Sequence, residues 1–276
     1  MAKKVASNTP RNISKSASRE ARKGASSSVH PTTISPETKT FEGKLSGQVA
    51  VVTGGSRGIG LAIARALAAE GCTVVVTGRD DSALKRLARD LAGTVLTRHC
   101  DVRDPKSVAR LFVALKKQFG KLDILVNNAG VAHPLQDVDR LPLEVWTEVV
   151  GTNLTGLFLT TRSAVALMAR GATIVNNLSV SAKTVFPGMS AYNASKHGAL
   201  GFTDSLREEL RPRGIRVIGL VPGATSTEIW KQFWPDAPRE RMMAPESIAE
   251  ALLAAILLPQ NTTVSELVIT PTSGAL

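Results

Sequence analysis

From Gln48 onward, short and nearly continuous apolar runs alternate with longer segments whose apolar residues recur every three or four positions. The runs 49–53, 73–77, 94–99, 122–127, 172–178, 215–221 and 265–270 are mostly Val, Ile and Leu, with little polar alternation. That is the pattern of parallel strands buried on both faces. The helical-period segments fall between them, at about 58–70, 80–91, 105–119, 141–169, 189–211 and 245–257. Asp104-Pro105 gives the third a start signal, because an aspartate can accept from free helix N–H groups and proline presets the helical φ. Regular alternation predicts right-handed crossovers and an α/β architecture: a doubly wound parallel sheet of about seven strands, flanked by helices. A chain of 276 residues can bury a sizeable core, and the pattern predicts one domain over residues 41–276.

Composition changes the picture mainly at the N-terminus. Residues 1–40 are rich in Ser, Thr, Lys and Arg and carry eight Lys/Arg against Glu20 and Glu37, a net of +6. Such a stretch buries too little apolar surface to offset the entropy of ordering, so a disordered basic tail is expected. No continuous apolar stretch follows Lys3-Lys4, which argues against a secretory signal. The basic, Ser-rich, acid-poor composition is similar to an organellar transit peptide, but its apolar face is thin (Val5, Ile13, Val29, Ile34). A cytoplasmic protein is expected, with an organellar one as the alternative. The whole chain carries +11, so the body keeps only +5. With no interleaved aromatics in the tail, no specific nucleic-acid partner is expected. No apolar run reaches the ~20 residues of a membrane span. Cys72 and Cys100 sit in apolar runs and read as buried, reduced thiols.

The candidate chemistry starts at the first strand. Val49–Thr53 runs into Gly54-Gly55-Ser56-Arg57-Gly58-Ile59-Gly60 and then an amphipathic helix. Glycines let the backbone turn tightly and let phosphates reach the helix N-terminus, where free N–H groups and the dipole favour anions. Further on, Tyr192 and Lys196 stand four residues apart, on one face of a predicted helix. A phenol titrates near 10 and is a poor acid or base at neutral pH, but a fixed ammonium beside it favours the phenolate. On spacing alone the pair could equally lie on a solvated helix face.

The set and order of these motifs over residues 45–270 resemble the short-chain dehydrogenase/reductase family, in its single-domain branch with a Rossmann-type sheet. The matching residues are Thr53-Gly54 with Gly58-Ile59-Gly60, Asp101-Val102, Asn127-Asn128-Ala129-Gly130, Asn153, Ser179, Tyr192 with Lys196, and Pro222-Gly223. The resemblance implies cofactor contacts from Thr53, Gly54, Ser56, Arg57, Gly58, Ile59 and Gly60, with Asp101 on the adenine beside Val102. It implies further contacts from Asn128, Ala129, Gly130, Pro222, Gly223, Thr225 and Thr227. Its catalytic set would be Asn153, Ser179, Tyr192 and Lys196. Tyr192 would exchange the proton, Lys196 would lower the tyrosine's pKa and hold the nicotinamide ribose, and Ser179 would donate to the carbonyl oxygen. Asn153 would hold a water linking Lys196 to solvent.

Charge argues for which nicotinamide cofactor. The second strand ends Val76-Thr77-Gly78-Arg79, with Gly78 where an NAD enzyme would carry a ribose-binding acid. Arg57 and Arg79 instead offer planar forks suited to a 2′-phosphate, although Asp80 and Asp81 lie nearby. NADP(H) is therefore expected rather than NAD(H). The expected activity is hydride transfer between NADP(H) and a small-molecule carbonyl or secondary alcohol; the alternative is a non-catalytic, cofactor-binding regulator of the same fold. The motif set is similar to that of 3-oxoacyl-acyl-carrier-protein reductases, but the ending Leu267-Val268-Ile269-Thr270-Pro271-Thr272 departs from their Asp-Gly-Gly ending, and the chain looks more like the branch that reduces diverse small carbonyls or oxidises 3-hydroxy acids. The resemblance implies that the segment after Pro222-Gly223 is a lid over the substrate; its Trp230, Phe233, Trp234, Met242 and Met243 suggest an apolar or aromatic substrate portion, or packing of the lid onto the body or a neighbouring subunit. His133 and His197 belong to no ligand cluster, so no metal is expected. The resemblance further implies a homodimer or homotetramer built on helices 141–169 and 189–211.

Overall fold

The computed structural model describes residues 43–91 and 95–274, so the basic tail expected at 1–40 lies outside the described residues. Seven strands form one parallel sheet: β1 (Val49–Thr53), β2 (Thr73–Gly78), β3 (Val95–His99), β4 (Ile124–Asn127), β5 (Thr173–Asn177), β6 (Arg216–Pro222) and β7 (Glu266–Ile269). Their order is β3-β2-β1-β4-β5-β6-β7. Seven α-helices cover its faces: α1 (Gly58–Ala69), α2 (Asp81–Asp90), α3 (Pro105–Phe119), α4 (Leu143–Val150), α5 (Gly156–Val165), α6 (Ser190–Leu210) and α7 (Pro245–Ile256). The expected doubly wound sheet is what forms.

Alternate residues of each strand feed the two cores. Ala50, Val52, Val74 and Val76 pack with α1, α2 and α7, around Ile63, Leu84 and Leu252. Val49, Val51, Val75 and Leu125 pack the other way, against Leu111 of α3, Leu159 of α5 and Leu206 of α6. Each such fully buried Leu or Ile contributes about 1.5–3 kcal/mol relative to exposure. The strand order reverses between β1 and β4, and that reversal opens a crevice at the carboxyl ends of the strands.

The caps follow the sequence. Asp104 accepts from the Lys106 and Ser107 N–H groups at 2.9 and 3.1 Å, with Pro105 opening α3. Both cysteines are buried and free, and burial pushes the Cys72 thiol up to about 12, so it is a poor nucleophile. Among the described residues, no helix is long and apolar enough to cross a membrane.

One element departs from expectation. The helix read as continuous over 141–169 is broken by a π-helical turn at Gly151–Thr155, and α5 ends at Val165. The buried Asn153 side chain sits inside that turn and is tied to the loop after β4 and to α6. Apolar periodicity carries no signal for a one-residue register shift within a helix.

Candidate active site

The crevice is a cavity of about 1100 Å3, running from the glycine turn and the end of β2 to the start of α6. At its first end, α1 starts after Arg57, which gives it no side-chain cap, and it has no acid in its first turn. The aspartate-capped α2 and α3 differ in this respect. The first N–H groups of α1 thus remain to meet an anion.

The turn is pressed against the loop after β4. Gly54 has φ +62°, and a Cβ there would lie 2.8 Å from the Ala129 Cα. At Gly60 a Cβ would lie 2.3 Å from Asn128 Nδ2 and 2.8 Å from the Gly54 carbonyl oxygen. Thr53 fastens the approach: its Oγ1 accepts from the Asn128 and Ala129 N–H groups at 3.0 and 3.1 Å. Asn128 donates from Nδ2 to the Thr53 and Gly54 carbonyls, both at 3.0 Å.

At the other end the catalytic candidates meet. Ser179 opens a short turn after β5, its Oγ accepting from the Ser181 N–H at 3.1 Å. Ser179 and Tyr192 both line the cavity here, and the serine hydroxyl favours the ionised form of the phenol. Lys196, one turn along α6, is 7% exposed and donates from Nζ to the Asn177 carbonyl at 3.0 Å. Its Nζ lies 5.6 Å from the Tyr192 ring centroid. Burial pulls the ammonium down to about 8.

Burial also pushes the Tyr192 phenol above its ordinary value, with the Ser179 hydroxyl pulling the other way. The surroundings of the phenol therefore hold it in its neutral form in this structure, with the ammonium 5.6 Å from the ring centroid. Desolvation disfavours the phenolate, and the ammonium is bonded to a carbonyl rather than to the phenol oxygen.

Ser56, Arg57, Gly58, Ile59, Gly130 and Val102 line the cavity, as do Pro222, Gly223, Thr225 and Thr227. Thr53, Gly60, Asp101 and Asn153 are not in its lining. Thr53 and Gly60 shape the turn from behind. Both oxygens of Asp101 are taken by Arg103, the shortest contact being 2.7 Å, so the acid offered to an adenine is an ion-pair partner here. Asn153 Oδ1 accepts from the Val131 N–H, and its Nδ2 donates to the Val131 carbonyl and to Ser195 Oγ. Its amide hydrogens are spent, leaving an Oδ1 lone pair and the main chain for any relay water.

Arg79 lines the cavity, but its guanidinium stands 3.5 Å from Glu148, a half-exposed pair. Asp80, the carboxylate that clouded the cofactor argument, caps α2 through the Ser82 and Ala83 N–H groups. Asp81 is 2.8 Å from His99. At Gly78 a Cβ would meet Ser56 Oγ at 3.7 Å and Leu84 at 3.8 Å, ordinary contact distances, and the glycine lines the cavity.

Asn177 escaped the sequence reading. Its Nδ2 donates to Asn128 Oδ1 at 2.8 Å, linking the lysine's acceptor to the glycine turn. Its Oδ1 and the Thr152 Oγ1 are buried without a protein partner among the described residues, and both residues line the cavity. The signal was present: two asparagines close an otherwise apolar strand run. An uncapped helix start beside glycines and unpaired polar atoms beside a buried cation fit a dinucleotide along this crevice.

The family model for short chain dehydrogenases matches residues 48–238. The chain belongs to the short-chain dehydrogenase/reductase family. This short-chain dehydrogenase is 35% identical to a 3-oxoacyl-acyl-carrier-protein reductase of Aquifex aeolicus, over 77% of this chain and 91% of the relative. It is 37% identical to a D-threitol dehydrogenase of Mycolicibacterium smegmatis, over 72% and 78% respectively. An alcohol dehydrogenase from Thermococcus sibiricus, solved with 5-hydroxy-NADP, is 29% identical with a TM-score of 0.76, over 83% of this chain and 98% of that one. The short-chain dehydrogenase is thus an oxidoreductase of the nicotinamide-dependent kind.

Proposed function

We propose that this protein interconverts a carbonyl and a secondary alcohol with NADP(H), Tyr192 serving as the general acid and base. The observation that carries the reading is that Ser179, Tyr192 and the buried Lys196 line one crevice together with the glycine turn. When bound, the reduced nicotinamide supplies the hydride. The Ser179 hydroxyl donates to the substrate oxygen and stabilises its developing charge. Tyr192 hands its proton to the same oxygen. Lys196 holds the ribose side of the cofactor and, as a cation, favours the phenolate left behind.

The raised Tyr192 value keeps the phenol protonated at neutral pH, which favours the reductive direction there. Alcohol oxidation needs the phenolate and should rise with pH. Tyr192→Phe removes the proton while keeping the ring, and kcat should fall about 100-fold or more. Near-normal turnover in a folded variant, followed by NADPH absorbance, would end this reading.

Preference for NADP(H) is supported by Gly78 standing where a carboxylate would repel the 2′-phosphate, and by Arg57 and Arg79 in the lining. The Arg79–Glu148 pair is half-exposed and worth at most about 1 kcal/mol, so a phosphate dianion competes for the guanidinium. Changing both arginines to Ala should cut the NADPH-over-NADH ratio of kcat/KM by about 100-fold, at about 1.5–3 kcal/mol per lost charge-assisted hydrogen bond. Trp146 on α4 and Phe158 on α5, 39% and 40% exposed, support self-association through those helices.

A further inference from the structure

We propose that the lid end of this cavity selects a bulky, uncharged cyclic ketone or its secondary alcohol and rejects oxo and hydroxy acids. The inference rests on the hydride-transfer reading and adds a substrate class to it. The segment 224–243 closes as a loop over the cavity, pinned at its base by a bridge between Thr225 and Met243. There the Ser226 N–H donates to the Met243 carbonyl at 2.9 Å, and the Met243 N–H to the Ala224 carbonyl at 3.0 Å.

Within the loop, Trp230 lies 4.9 Å from Phe233 and 6.1 Å from Trp234, centroid to centroid. All three line the cavity. The Trp230 indole donates to the Thr225 carbonyl at 2.8 Å, so the ring offers a ligand only its faces and edges. Phe186 and Met189, also in the lining, add apolar surface from the segment leading into α6. Such a surface suits a flat, cyclic, apolar body.

Charge decides against an acid. The charged side chains lining the cavity among the described residues are Arg57, Arg79, Asp80, Glu228 and Lys196. Arg57, Arg79 and Asp80 belong to the glycine turn and the end of β2; Arg57 also lies near Glu228, whose carboxylate already offsets its charge at the lid. The Glu228 carboxyl is held below the usual carboxylate range by Lys231, with Arg57 and Arg239 adding to it, so it stays an anion. Lys196 is committed to the Asn177 carbonyl and to the ribose side of the site. A substrate carboxylate under the aromatic lid would be desolvated without a free cation of its own.

One neutral contact is available instead. Gln232 Oε1 accepts from the Ala132 N–H at 2.8 Å, which pins the lid to the loop after β4. That bond fixes the amide's orientation and leaves Nε2, which has no protein partner among the described residues, to donate to a second oxygen of a neutral substrate.

The test uses the full chain with NADPH and four probes: 2-tetralone, 2-decalone, acetoacetate and methyl acetoacetate. The bicyclic ketones should exceed acetoacetate in kcat/KM by at least about 100-fold, and the methyl ester should exceed its acid by at least about 10-fold. Phe233→Ala should lower kcat/KM for 2-tetralone about 10-fold, with NADPH affinity, read by cofactor fluorescence, within about 2-fold. Phe233→Leu, which keeps apolar volume, should recover most of that loss. Acetoacetate matching its ester overturns the substrate class and leaves hydride transfer standing, as does a Phe233→Ala variant that handles 2-tetralone unchanged. No turnover of any probe overturns the hydride-transfer reading, and this inference with it.

Discussion

Lys196 has one protein acceptor for its ammonium, the Asn177 carbonyl, and almost no solvent. Its folded value of about 8 lies well below the ordinary 10.5, so burial of the charge opposes folding. The sign follows from linkage: the penalty is absent above pH 10.5, grows as pH falls towards 8, and is complete below it. It amounts to about 3 kcal/mol. Lys196→Met should therefore abolish turnover yet raise Tm by a few degrees at pH 7, after the lost hydrogen bond is allowed for. The gain should vanish near pH 10. Thermal unfolding at the two pH values checks this, and an equal gain at both would sink it. The Tyr-Lys spacing and Ser179 were legible in the sequence because helix period and motif order are local. The direction of the tyrosine's shift was not, because desolvation depends on everything packed around it.

At the scale of elements, the polar residues at the strand ends hold sheet to helix. Asn127 at the end of β4 donates to Thr161 Oγ1 of α5 and Asn176 Oδ1 of β5, both at 2.9 Å, and accepts from Thr160 at 2.6 Å. Asn176 donates in turn to Thr203 of α6 at 2.9 Å. The ladder is buried throughout, so breaking it strands polar groups away from water. Asn127→Ala should lower stability by about 2–4 kcal/mol and loosen the loop carrying Asn128–Gly130. Denaturant unfolding and NADPH titration would check both, and a loss below about 1 kcal/mol would contradict the ladder's role. The strands and most helices were readable from apolar period. The π-helical turn was not, because a one-residue change of helical register leaves the apolar pattern almost unaltered.

For the whole molecule, the strand reversal brings the glycine turn against the loop after β4. Gly60→Ala would push a methyl against Asn128 Nδ2 and the Gly54 carbonyl, at 2.3 and 2.8 Å. The Asn128 side chain can shift, but the carbonyl is backbone. A loss of about 1–3 kcal/mol is expected, with NADPH binding weakened about 10-fold or more as the turn moves. Unfolding and fluorescence titration of the same variant would test it, and wild-type affinity would refute it.

The order of strands and helices, the anion-ready glycine turn, the Asp104 helix cap and the candidate reacting groups were legible in the sequence alone. Each is set by residues within a few positions of one another, through period, backbone freedom or motif spacing. The tertiary structure alone decided that Asp101 pairs with Arg103, that Asn177 links Lys196 to the glycine turn, and that Gln232 latches the lid. Asn128 and Asn177 are forty-nine positions apart, and Ala132 and Gln232 one hundred. A polar side chain's partner across such a span depends on which strands neighbour one another and how far each reaches, and local pattern carries neither.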